Sequence, residues 1–470
     1  MSDVLQARTG LTVNQLRRLR DVFAAEIVTS ADEGYDEARR VWNGAHDRRP
    51  AVLVRPRSTD QVAAAIRFAR EHDLELAVRS GGHSASGHSS TDGGIVVDLS
   101  RMRGVTVDAA RRTARANGGA LLGELDVAAQ AHGLVCPTGV VGHTGVAGLT
   151  LGGGMGRLQR RFGLTIDNLR AVELVTADGR FVRASETEEP DLFWGMRGAG
   201  WNYGIVTAFE FALHPFGPEL HRGVLTYPAS AASDVWEVFR DYAADAPDTV
   251  SMIFVIATGE SATDDTSSAG GDPIVYVSYN HSGRFDAVES DTAGLRQGPE
   301  PLSVSGGSQS YLVAQTAHDL LFAGGRRTYI KGLCANEIRP DAVDGLVEQA
   351  AGGPPGGSIG VTAQGGAIAH LDENATAFSG RLARFDLSTD VTWDDPAEDD
   401  ANRDWVRRMM ALIEPDAVDG RYANENADAG PAETRLIYGD AKLARLAALK
   451  RTWDPDNVFR LNHNVAPADG

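Results

Sequence analysis

Arg79-Ser80-Gly81-Gly82-His83-Ser84-Ala85-Ser86-Gly87-His88 is the stretch that organises the chain. A β-like run, Leu74 to Val78, leads into paired glycines and then a histidine flanked by small residues. Gly81 and Gly82 reach backbone angles closed to residues with a Cβ and let a ligand approach the main chain. Successive N–H groups in such a turn form a concavity suited to phosphate. His83 is then held where its imidazole can meet that ligand. The rest of the sequence reads as a scaffold closing over whatever sits there.

Upstream, Ala51-Val52-Leu53-Val54 reads as a short buried strand. Ser58 with Gln61 is a capping box, and Val62, Ala65, Ile66 and Ala69 fall on one helical face, so strand, helix and the strand before Arg79 make a βαβ unit. Downstream, Ile95-Val96-Val97 is a third strand, Val105 to Ala116 a hairpin, and Leu121 to His132 a helix ended by Gly133. A second glycine-rich stretch runs from Gly139 to Gly156. So many glycines without low complexity imply close contact with a ligand or a neighbouring segment. It carries neither the Lys-Ser/Thr ending of a nucleotide P-loop nor the context of a dinucleotide fold. Val172 to Ala184 is a hairpin turning at Asp178-Gly179, and Gly198 to Val206 a third glycine-punctuated loop entering a strand.

The 470 residues suffice for two or more domains. A net charge of -19 repels phosphate backbones, which argues against nucleic acid as a partner. No apolar run approaches the roughly 20 residues that span a bilayer. Met1 to Gly10 lacks a basic-then-apolar leader, so a cytoplasmic protein is expected. Two cysteines, Cys136 and Cys334, make neither a disulfide framework nor a zinc site. No metal is expected, and redox chemistry needs a bound cofactor.

His214-Pro215-Phe216-Gly217-Pro218 marks a boundary. Beyond it, alternating runs such as Ile274 to Tyr279 suggest antiparallel strands, with helices at Ala232–Tyr242 and Pro340–Ala350. Gly259 to Asp272, Gly352 to Ser358 and the acidic run Asp394 to Asp400 read as exposed loops. The last segment, Tyr438 to Val465, holds a helix stopped by Asp454-Pro455, then Arg460-Leu461-Asn462-His463-Asn464. No internal repeat is evident.

Together, Arg79–His88, Thr144–Gly156, Phe162-Gly163-Leu164 with Asp167-Asn168, Asp191–Val206 and Asp454–Phe459 resemble the flavoprotein family of berberine bridge enzyme and 6-hydroxy-D-nicotine oxidase. The resemblance covers the first half and the tail well and the middle weakly. It implies an α+β fold of the vanillyl-alcohol-oxidase type. Residues 1–217 and 418–470 would form a two-subdomain FAD-binding domain. Residues 218–417 would form an inserted substrate domain, an antiparallel sheet covered by helices. Its implied cofactor is FAD, bound covalently through His83. Arg79, Ser80, Gly81, Gly82, Ser84, Gly87, His88, Thr144, Gly145, Gly148, Thr150, Gly153, Gly154, Asn168, Gly204, Ile205, Val206 and Asn462 would line it. An imidazole nitrogen is nucleophilic, and an azole on the ring should raise the flavin potential. A second tether, a cysteine in some members, aligns with Val141; Cys136 lies five residues earlier, so a single link is expected.

By the same resemblance, Thr144 governs oxygen access, its Val-like shape favouring an oxidase. Tyr422-Ala423-Asn424-Glu425 resembles a family motif whose fourth residue, where tyrosine, is the catalytic base. Here it is Glu425. A partly desolvated carboxylate could take that proton, or it could simply face water. Tyr422 would orient the substrate. Tyr311, Tyr329 and His370 are candidate pocket residues of the middle domain. The expected reaction is hydride removal from a small organic substrate, of secondary-metabolite type, with O2 as acceptor and H2O2 as product. A dehydrogenase using another acceptor, or a flavoprotein sequestering a drug-like ligand, are the alternatives. The sequence does not choose between monomer and homodimer.

Overall fold

The computed structural model describes residues 10–24, 26–258 and 272–469. The loop expected at Gly259 to Asp272 lies outside them, save Asp272. Among the described residues three large sheets form, of four, five and eight strands, and the fold is α+β.

In the first sheet the Ser58 hydroxyl accepts from the Gln61 backbone N–H and opens the helix Thr59–Glu71. Its buried side, Val62, Ala65, Ile66 and Ala69, packs on the sheet as the 3.6-residue spacing predicts. The reciprocal half of the box differs, because the Gln61 side chain accepts from Arg57 N–H. The βαβ unit forms, with a third strand between its two. Val52–Val54 and Leu76–Arg79 are not neighbours; each runs parallel to Ile95–Asp98, which lies between them. Ile95, Val96 and Val97 are wholly buried, and a continuous apolar run belongs at the centre of a parallel sheet covered on both faces. Asp98 at its end accepts from Arg79 at 2.8 Å and Arg55 at 3.1 Å, so the Ser80–His88 loop departs from a pinned strand end.

The second sheet is antiparallel. Two hairpins, Val105–Asp108 with Thr113–Asn117 and Leu169–Val175 with Phe181–Ser185, flank a central strand, Ile205–Ala212. Gly179 takes φ +81° at the turn expected there. The helix expected at Leu121–His132 spans Leu122–Gln130, and Gly133 leaves it with φ +64°.

The eight-stranded sheet is built between Glu219 and Val418, in the order Ser303–Ser310, Glu219–Pro228, Ile274–His281, Val250–Ala257, Ser358–Ala363, Phe385–Trp393, Arg327–Ala335, Ala417–Val418. Its period-2 alternation sorts the faces. Met252, Phe254, Ile256, Val275, Val277, Ile359, Val361, Phe385 and Leu387 pack under the helices Ala232–Asp245, Pro340–Ala351 and Asp399–Ile413. Each such large apolar side chain contributes about 1.5–3 kcal/mol on burial. The opposite face is mixed: Arg222, Ser251, Ser278, Asn280, Thr362, Asp386, Ser388 and Asp390 lie around an apolar patch of Ile253, Val255, Ala257 and Ile274.

Two expectations about the end of the chain change. The acidic run is not only a loop, since Asp399 and Asp400 begin a helix and Asp399 pairs with Arg327 at 2.5 Å. The last helix begins at Pro431 and ends at Trp453, broken at Gly439 (φ +68°), the interruption that made Tyr438 look like its start. Asp454 stops it: its carboxylate accepts from Val458 N–H, Phe459 N–H and the buried Lys450 ammonium. The Arg460–Asn464 tail is thereby aimed back across the molecule.

Arg381, fully buried, joins the middle segment to the glycine-rich half through two 2.8 Å bonds to Asp167. No helix of the described residues is long and apolar enough to cross a membrane.

Candidate active site

The two glycine-rich stretches lie backbone to backbone. A Cβ on Gly81 would stand 2.2 Å from Gly145 N, and one on Gly145 would stand 2.3 Å from Gly81 N. This contact sets His83 beside Thr144. The ring of His83 stacks on Trp42 at 4.9 Å and 15°. Trp42 is fixed by its indole N–H donating to the Phe322 carbonyl at 2.6 Å.

The hydrogen bonds around His83 fix its tautomer. Asp319 C=O, an acceptor only, lies 3.2 Å from His143 Nε2, so His143 carries its proton there. His143 Nδ1 is then a lone pair, 2.7 Å from His83 Nε2, which must be the donor. His83 Nδ1 is left unprotonated, with the Thr144 hydroxyl 3.4 Å away. Burial, with His143 adding, pushes His83 down to about 3, so the ring stays neutral through the physiological range.

Several buried polar atoms around this loop lack a protein partner: Ser80 Oγ, Thr150 Oγ1, Asn462 Oδ1, His463 Nδ1 and Asn464 Oδ1. They are linked through neighbours. Ser80 abuts Gly145, Asn462 Nδ2 donates to the Trp201 carbonyl at 3.2 Å, and a Cβ on Gly152 would meet the Trp201 ring at 2.5 Å. His463 donates from Nε2 to Ala423 C=O at 2.9 Å and meets the His88 ring edge-on at 5.6 Å. Unpartnered buried polar atoms cost about 1–3 kcal/mol each, and their clustering here fits a polar, extended cofactor such as FAD. No group of residues able to hold a metal occurs among the described residues.

Glu425 is where the sequence left two readings open. It sits in the one-turn segment Ala423–Glu425, between the His83 loop and the mixed face of the large sheet. Ser86 donates to Asn426 C=O at 2.8 Å, Asn424 to Leu149 C=O at 3.0 Å, and Asn426 Oδ1 accepts from Gly332 N–H at 3.4 Å. The residue is half-buried, with one carboxyl oxygen, Oε2, shut away from water. Burial pushes it up to about 7, the Asp390 charge adding and a hydrogen bond from Ser388 opposing. Asp386, alongside, is raised well above its ordinary value by burial and then by Glu425. Asp390 is lifted by burial to about 6. One Glu425 oxygen, Oε2, is buried without a partner.

Tyr422 is placed differently. Its hydroxyl accepts from Gly154 N–H, Met155 N–H and Asn424 Nδ2, at 3.2, 3.3 and 2.9 Å. Gly153 (φ +140°) passes its ring so closely that a Cβ would stand 3.1 Å from it. Here the glycines serve the approach of a neighbouring segment.

Other expected residues do not converge on His83. The Arg79 guanidinium holds Asp98 and the carbonyls of Ala38 and Arg40. Asn168 Nδ2 donates to Phe162 and Leu164 carbonyls. Ile205 and Val206 are core, Gly204 packs on Val175, and Gly148 is exposed. Ser84 Oγ caps the loop by accepting from His88 N–H, and Gly82 (φ +74°) and Gly87 (φ +72°) make its turns. Tyr311 lies in a buried network with Asp126, Thr138 and Gln315. Tyr329 bonds Asp428 at 2.7 Å and belongs to the helix-covered core, while His370 is exposed beside Asp248. Sequence reasoning missed His143, Trp42, Asp386 and Asp390. Only the alternation of Asp386, Ser388 and Asp390 along a strand could have signalled a polar sheet face.

Residues 50–185 match the family model described as an FAD binding domain, and residues 421–466 the model described as berberine and berberine like. The chain is 30% identical over 454 residues to (R)-6-hydroxynicotine oxidase of Paenarthrobacter nicotinovorans, covering 94% of this chain and 96% of that protein. It is 29% identical to the FAD-linked oxidoreductase pgmH of Aspergillus terreus, covering 98% and 97%. The crystal structure of 6-hydroxy-D-nicotine oxidase from Arthrobacter nicotinovorans superposes with a TM-score of 0.85 at 28% identity, over 95% of this chain and 98% of that one.

Proposed function

Because the chain belongs to the berberine bridge enzyme-like family of FAD-linked oxidoreductases, we propose that it is a monocovalent flavoprotein oxidase tethered at His83. It is an FAD-dependent oxidoreductase; the tether, the acceptor and the substrate are the inference. Residues 1–217 and 418–470 hold the cofactor, and residues 218–417 the substrate. FAD supplies a two-electron acceptor that takes a hydride from a small organic donor of secondary-metabolite type and passes the electrons to O2, giving H2O2.

The unprotonated Nδ1 of His83, within reach of the Thr144 hydroxyl as donor, supports attachment there, and His143 Nδ1 is placed to accept the proton on His83 Nε2. Cys136 does not compete: burial raises its thiol well above its ordinary value, and Val141 stands at the second tether position. Thr144, beside His83 Nδ1, is the residue that bears on oxygen access. Glu425 serves as the base, accepting the proton a donor O–H or N–H loses as its carbon gives up hydride. Its buried, unpartnered oxygen between the His83 loop and the mixed sheet face carries this reading. Two free buried cysteines suit a reducing cytoplasm.

The test is a screen of alcohols, amines and hydroquinones for anaerobic bleaching of the purified protein, followed by admission of air. Recovery of colour within seconds with stoichiometric H2O2 is expected. Recovery over minutes would make it a dehydrogenase, and spectral shifts without bleaching by any donor would make it a binding protein.

A further inference from the structure

The buried arginines of this protein divide into two sets. Arg79 faces Asp98, Arg381 faces Asp167, Arg421 faces Glu414, and Arg160 is met by the carbonyls of Gln364 and Ala246. Arg157 has no such company. It is 8% exposed, its Nε and Nη2 are buried without a hydrogen-bond partner, and it makes no ion pair among the described residues. Arg222 is half-buried; its Nε is buried without a hydrogen-bond partner, and it makes no ion pair among the described residues.

Leu158, next to Arg157, and Leu220, two residues from Arg222 on the same strand, pack in one cluster, which brings the two cations to the same region. Burial pushes Arg157 down to about 10, with Arg222 contributing in the same direction. The nearby His318 is held neutral, lowered to about 3 by burial, then by Arg157 and Arg222. An uncompensated buried charge costs several kcal/mol, so Arg157, with a second guanidinium beside it, calls for an anion from outside the chain.

Their position ties them to the candidate active site. Arg222 pairs in register with Asn280, on the mixed face that also bears Asp390, and Asn280 Oδ1 is another buried orphan. Tyr276 shares this face with Asn280, four residues along the same strand. Register runs from Ser388 through Gly360 and Val255 to Tyr276, three strand spacings; Arg222 lies one strand further and four residues along, roughly 20 Å from Ser388 across the sheet. Arg157 directly follows Gly156 of the second glycine-rich stretch. His318 precedes Asp319, which binds Gly142 N–H and His143. Arg157 and His318 are thereby tied to the second glycine-rich stretch, whose His143 meets His83.

We propose that Arg157 and Arg222 bind a carboxylate of the substrate, so that the enzyme oxidises a small organic acid whose reacting carbon lies toward Glu425. That the anion is a substrate rests on the reading of the mixed sheet face given above. Two guanidinium groups offer parallel N–H pairs to one planar carboxylate, the geometry a neutral amide or alcohol cannot satisfy.

The probes are benzoate and its neutral isostere benzamide, titrated calorimetrically into the purified holoprotein. Benzoate is expected to bind at least about tenfold more tightly than benzamide. Arg157→Gln and Arg222→Gln should each weaken benzoate by about tenfold or more while leaving benzamide within about twofold. Equal affinity for the two ligands, no benzoate binding, or benzoate binding retained in both variants would overturn the proposal. The wild-type comparison needs no variant to fold. Flavin absorbance of the same sample reports separately on the cofactor. A colourless protein that prefers benzoate keeps the anion site and removes the flavin reading, whereas a yellow protein without the preference does the reverse.

Discussion

His83 Nε2 lies 2.7 Å from Nδ1 of His143, and because His143 Nε2 faces a backbone carbonyl, the shared proton must come from His83. The pair therefore presents His83 Nδ1 as an unprotonated nucleophile and His143 Nδ1 as the acceptor of the proton on His83 Nε2. His143→Ala should slow flavin attachment by about tenfold or more without preventing FAD binding. The check is the time course of covalent incorporation into apoprotein, read as intact mass. Attachment at the wild-type rate would remove His143 from the account.

Glu425 is expected to act only when ionised. With its carboxyl raised to about 7, the rate of anaerobic flavin reduction should climb with pH through that region and level off above it. Glu425→Gln should lower the reductive rate by about 10²–10⁴-fold and abolish that limb. Stopped-flow reduction across pH, with any donor that bleaches the flavin, decides this. An unchanged rate in the variant would return Glu425 to a structural role.

The same carboxyl makes a prediction about stability. Its folded value lies above the unfolded value, so between about 4.3 and 7 the unfolded chain ionises while the folded one stays protonated. Wild-type stability is then lost as pH rises through that window. Glu425→Gln lacks the loss, so its Tm relative to wild type should improve from pH 5 to pH 8. A relative Tm that is flat or falls would show that the carboxyl is not buried as a neutral acid.

Arg381 and Asp167 form a fully buried bidentate pair between the glycine-rich half and the middle segment. Arg381→Met leaves Asp167 charged and alone, and should cost about 3–5 kcal/mol. Adding Asp167→Asn should recover a large part of that. Denaturant unfolding of both variants measures it, and a double variant no more stable than the single one would deny the coupling.

What the sequence made legible follows local physics. Paired glycines, the Ser58 cap and the alternating Ile274–Tyr279 run each have a short-range cause, and each appears in the structure. The order of the parallel strands was not legible, because it depends on Ile95–Asp98 being buried on both faces. The site divides the same way. His83 is announced by its neighbours, but His143 joins it only because Gly81 and Gly145 touch. Glu425 could not be told from a surface acid until Asp386 and Ser388 were brought against it from a strand about 40 residues away. Tyr329 and His370 rest on a weak resemblance in the middle segment, and one faces the helix-covered core while the other faces solvent.

The central claim is that a flavin is bonded to one imidazole. Acid-precipitated protein should stay yellow, and proteolysis with mass spectrometry should place a single flavin adduct on the peptide bearing His83, absent from His83→Ala. An unmodified His83 peptide, or the adduct found instead on Cys136, would contradict it.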